Sequence, residues 1–90
     1  MEAETALTLV KARLNRLAGD TTIDGYLLQR IAAAEEKLNS MFTLPLRAES
    51  IEDMMLLVDY TVYQYQSRDK AGGEPDWLRM RLRERYLKKG

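Results

Sequence analysis

The sequence predicts an all-α fold, a single small domain of about four helices over residues 1–90 with a long central helix. Helix formers dominate, and glycine and proline are confined to a few places. No stretch alternates apolar and polar residues between hairpin turns. Ninety residues hide only about 60–65% of the unfolded chain's surface on folding, so the core must be modest. With no cysteine and no histidine, disulfide staples and most structural zinc sites are excluded, which leaves oligomerisation as the common route to extra stability.

Each element has its own signal. Leu7, Val10, Leu14 and Leu17 fall at helical spacing, which predicts a first helix over 4–18 with a narrow apolar stripe and Gly19 as its stop. A second helix is expected from Thr21 or Thr22, with Thr21 and Asp24 as an approximate capping box, to about Met41. Ile23, Leu27, Ile31, Ala34, Leu38 and Met41 share its apolar face, and Ala32 and Ala33 leave room for a close neighbour. Pro45 disfavours helix in the residue before it, so 42–49 reads as an ordered connection with apolar anchors. Ser50 and Asp53 predict the cap of a third helix over 51–67. Gly72 and Gly73 interrupt the chain, and Pro75 opens a last helix over about 76–88 carrying Trp77, Leu78, Leu82 and Tyr86.

The third helix, IEDMMLLVDYTVYQYQ, is apolar on two sides. At about 100° per residue, Ile51, Met54, Met55, Val58, Val62 and Tyr65 make one side, while Leu56, Leu57, Tyr60 and Tyr63 make another. Such a helix is either central in its own domain or shared between a core and a partner surface. The small number of helices available to cover it, and the preference of tyrosine for interfaces, favour the second reading. The first side is then the core, and Leu56, Tyr60 and Tyr63 form a subunit interface that stays partly exposed in the isolated chain.

The formal net charge is zero, but residues 1–66 carry a net of −4 and residues 77–90 a net of +5. Arg79, Arg83, Arg85, Lys88 and Lys89 are the candidate partner-docking cations, on a segment expected to be loosely held after Glu84. Three readings of this arm stand side by side: a solvated helix end, a dock for an acidic protein surface, and a contact to nucleic acid.

Catalysis has no constellation behind it. The usual general base and thiol nucleophile are absent, and Gly72-Gly73 matches no phosphate-binding loop. Glu35-Glu36 and Glu52-Asp53 are neighbours that diverge by about 100° on a helix, as solvated charges do. No catalytic residue, cofactor or metal is expected, and the chain is read as a non-enzyme. The sequence contains no apolar run long enough to span a membrane, which makes a soluble, cytoplasmic product the expectation.

Taken in order, LTLVKARL, DTTIDGYLLQRIAAAEEKLNSMF, LLVDYTVYQYQSRD and PDWLRMRLRERY resemble the small head-to-tail connector, or adaptor, proteins of tailed bacteriophages and prophages. The resemblance spans nearly the whole chain and rests on the order and spacing of the segments, each of which alone is a common helical pattern. The short 42–49 connection departs from the commoner pattern of that family. The resemblance implies a structural subunit that assembles with neighbouring copies into a twelvefold ring under the portal protein. It implies a ring that extends the DNA channel without sequence-specific binding and offers a platform to the next head-completion or tail protein. The expected location is the virion head-tail junction, after a period in the host cytoplasm. The alternative from the residues alone is a small helical nucleic-acid-binding regulator that uses the basic C-terminal helix.

Overall fold

The computed structural model describes residues 2–17, 19–42, 44–67 and 73–87. These residues form four helices and no strand: α1 (Ala3–Arg13), α2 (Asp24–Met41), α3 (Ile51–Gln66) and α4 (Asp76–Leu87). The longest is α2, with 18 residues; α3, with 16, is the central one by burial. The all-α class and the four helices agree with the expectation from the sequence.

The first helix stops earlier than its apolar pattern suggests. Asn15 takes a left-handed backbone conformation with φ of 59°. Its N–H bonds the Ala12 carbonyl at 3.1 Å, while the Arg16 N–H reaches back to Lys11 at 2.9 Å. This paired arrangement satisfies carbonyls that a helix end otherwise leaves open, and asparagine tolerates the left-handed region better than most residues. The terminator is thus Asn15 and not Gly19, and Leu17, placed beyond it, is 79% exposed.

The second helix presents the expected face, with Leu27, Ile31, Ala34 and Leu38 buried. Ala32 and Ala33, in contrast, are exposed. The Thr21–Asp24 capping box does not form, because the cap position is Ile23 and makes no side-chain bond. Asp20 instead accepts both the N–H and the hydroxyl of Thr22, at 3.0 and 2.7 Å. The connection after α2 is anchored by Phe42 and Leu46, both buried, and by the Leu46 N–H donating to Asn39 Oδ1 at 2.8 Å.

Ser50 caps α3 as the sequence predicts, its Oγ accepting from the Asp53 N–H at 3.2 Å. From Asp53 to Val62 every residue of α3 except Met55 is buried. Nearly all-round burial is what a helix at the centre of a small bundle requires. The division into a core side and a partner side is corrected accordingly. Leu56 and Tyr60 are 4% and 1% exposed and belong to the same core cluster as Val58 and Val62. Ile51 and Met55, assigned to the core by the wheel, are instead exposed, Ile51 by 80%.

The fourth helix buries Leu78, Leu82 and Arg85, which lie one above another on one face, whereas Trp77 and Tyr86 are exposed. Pro75 opens it, its carbonyl accepting from the Leu78 and Arg79 N–H groups.

Candidate functional site

Two carboxylates on α3 hold α4 in place. The Asp53 side chain is buried and meets Arg85 through two bonds, Nε to Oδ1 at 2.9 Å and Nη2 to Oδ2 at 3.2 Å. The same Arg85 Nη2 donates to the Pro45 carbonyl at 2.8 Å, and its guanidinium carbon lies 5.0 Å from the centre of the Phe42 ring. The Arg47 N–H completes the shell of Asp53 Oδ2 at 2.8 Å. One α3 carboxylate thereby ties together the chain before its own helix and the end of α4. Two parallel N–H to oxygen bonds fix angle as well as distance, so this pair sets the register of α4.

Asp59, also buried, accepts from Arg13 of α1 through Oδ1 and from Arg81 of α4 through Oδ2. Arg81 and Arg85 are one helical turn apart and pair with Asp59 and Asp53 in reverse order, which makes α4 antiparallel to α3. At the other end of this hairpin the Tyr63 hydroxyl donates to the Gly73 carbonyl at 3.0 Å.

Burial alone would raise the Asp53 carboxyl pKa. The Arg85 hydrogen bond, the Arg47 N–H and the charges of both arginines outweigh it and hold the pKa below the ordinary aspartate value. The Tyr60 hydroxyl moves the other way: burial, with smaller contributions from Glu74 and Tyr63, raises its pKa. Gln64 Nε2 donates to its oxygen at 3.1 Å.

Beside the Asp53–Arg85 pair lies an open groove of about 710 Å³ between the start of α3 and the end of α4. Ile51, Met55, Leu56 and Leu87 give it apolar walls, and Glu52 and Glu84 stand on its sides. A space of this size, mostly apolar with a few charged groups, is suited to receiving a side-chain cluster of another molecule. It offers no nucleophile–base pair, and among the described residues no group of three potential ligands is placed to hold a metal ion.

The sequence-predicted sites fare unevenly against this geometry. Of the proposed interface, Leu56 and Tyr60 lie inside the chain's own core, and Tyr63 is half-buried with its hydroxyl bonded to Gly73. The expectation that Leu56 and Tyr60 stay partly exposed is therefore corrected. Of the docking cations, Arg79 and Arg83 are exposed, but Arg85 is a buried ion-pair partner of Asp53, so it is not free to dock, and α4 runs on to Leu87. Lys88 and Lys89 lie outside the described residues. The groove was missed in the sequence because Ile51 and Met55 share a wheel sector with Val58 and Val62.

No helix among the described residues is long and apolar enough to cross a membrane. Comparison with family models, with curated proteins and with solved structures finds no match to this chain.

Proposed function

We propose that this chain is a structural assembly subunit of the head-to-tail connector type found in tailed bacteriophages and prophages. It joins neighbouring copies in a ring under the portal, extends the DNA channel, and supports the next head-completion or tail protein. Its place is then the virion head-tail junction. The observation that carries the reading is the open apolar groove between α3 and α4, together with the resemblance of the four helical segments in their order. Exposed apolar walls next to a well-packed core are what a chain that completes its burial by association presents.

The nucleic-acid alternative loses cations to the fold. Arg13, Arg81 and Arg85 are engaged by buried aspartates, which leaves Arg79 and Arg83 as the exposed arginines of α4. The test is co-sedimentation of the purified chain with purified portal rings, run beside duplex DNA at low and moderate salt. The adaptor reading predicts a portal complex and little DNA binding. Duplex binding that falls steeply with salt, with no portal complex, would replace it with the regulator reading.

A further inference from the structure

We propose that two copies of this chain pair about a two-fold axis along the exposed face of α4, with the two helices parallel. Met80 and Leu87 meet their own counterparts, and Arg83 of each copy bridges to Glu84 of the other.

The face is one continuous stripe. Trp77, Met80, Glu84 and Leu87 follow one another at i, i+3, i+7 and i+10 and lie within about 80° on α4, opposite the buried Leu78, Leu82 and Arg85. That spacing is the seam by which paired helices pack in coiled coils. The isolated chain leaves it in water: Trp77 is 48%, Met80 63% and Leu87 62% exposed, and the exposed Ile51 and Met55 continue the apolar surface onto the start of α3. These five residues present roughly 600 Å², the size per partner at which the smaller specific interfaces lie.

Charge selects both the occupant and its direction. Arg83 and Glu84 stand on opposite flanks of the line through Met80 and Leu87, about 100° apart and at nearly the same height. Both are exposed, and neither has an ionic partner among the described residues. A two-fold axis parallel to the helices sets each flank against the opposite flank of the second copy, so Arg83 meets Glu84 and Glu84 meets Arg83. An antiparallel pair centred on the same residues brings like flanks together and sets Arg83 against Arg83, which repels. A surface with one sign on each flank is its own complement, and a second copy supplies it.

In this arrangement the second copy lies across the mouth of the groove and covers Ile51 and Met55. The contact is isologous and closes at two copies, so it does not propagate a ring. It describes the chain free of the portal and holds or fails independently of the assembly reading.

The test is self-association of charge variants at these exposed positions. Sedimentation velocity of the parent should show a reversible dimer below about 1 mM. R83E and E84R each place like charges together at both symmetric contacts, and each should weaken pairing about tenfold or more, with circular dichroism showing that they remain folded. The double variant R83E/E84R restores opposite charges and should recover the dimer, and an equimolar mixture of R83E with E84R should pair better than either alone. Because the chain has no cysteine, single cysteine variants report direction. Under mild oxidation M80C chains should link to each other, and L87C chains to each other, faster than A33C chains on the exposed side of α2. A parent that stays monomeric up to that concentration, charge variants that associate as the parent does, failure of the double variant to recover pairing, or preferential linking of M80C to L87C would overturn the proposal.

Discussion

Asp53 and Arg85, separated by 32 positions in the chain, meet in a buried two-bond ion pair that fixes the end of α4 against the start of α3. The basic C-terminal segment is therefore part of the fold as far as Leu87, and its charge is only partly available to partners.

Removing either member leaves the other charged and buried. Asp53→Ala or Arg85→Met is expected to cost about 3–5 kcal/mol. Denaturant melts of both singles and of the double variant should give a double-mutant loss well below the sum of the singles. Additive losses would mean that the two side chains do not act as a pair.

The Asp53 pair also predicts a response to acid. Its folded pKa lies below the ordinary value of 3.8, so its stabilisation is complete above that value and is lost as pH falls through the folded pKa. Thermal melts from pH 6 downward should therefore show a steep decline starting near pH 4 in the parent, and a shallower one in Asp53→Asn. Equal acid sensitivity in both proteins would remove Asp53 as its source.

Leu56 and Ile51 differ in cost although both are apolar positions of α3. Leu56→Ala opens a cavity and should destabilise by about 2–5 kcal/mol. Ile51→Ala, at an exposed position, should change stability by no more than about 0.5 kcal/mol. Melting curves that reversed this order would restore the wheel's original division into core and surface.

At the end of α1, Asn15→Val places a β-branched residue at φ of 59° and is expected to cost about 1–2 kcal/mol. Asn15→Gly suits that conformation and should be close to neutral or stabilising. Equal stabilities for the two variants would mean that Asn15 does not hold the turn that ends the helix.

Local signals were legible in the sequence. The face of α2 follows from regular spacing, the start of α3 from Ser50 and the start of α4 from Pro75. What was not legible depends on partners distant in the chain. The wheel separates Tyr60 from Val58, but only the packing of α1, α2 and α4 around α3 decides that both are covered. Arg85 reads as one cation among several until Asp53 is placed beside it. The groove has the same origin, because the chain's own helices cover Asp53, Met54 and Leu56 to Val62 and leave Ile51 and Met55 in water.

Asp53–Arg85 and Asp59–Arg81 clamp α4 to α3, and the apolar groove beside them lies open. Native-state hydrogen exchange of the α4 amides tests the clamp most directly. The clamp predicts that the amides of residues 82–87 in the parent are protected to a level close to those of α3, and that Asp53→Asn lowers their protection more than it lowers that of α2. Exchange of those amides at free-chain rates in the parent, unchanged by Asp53→Asn, would contradict it.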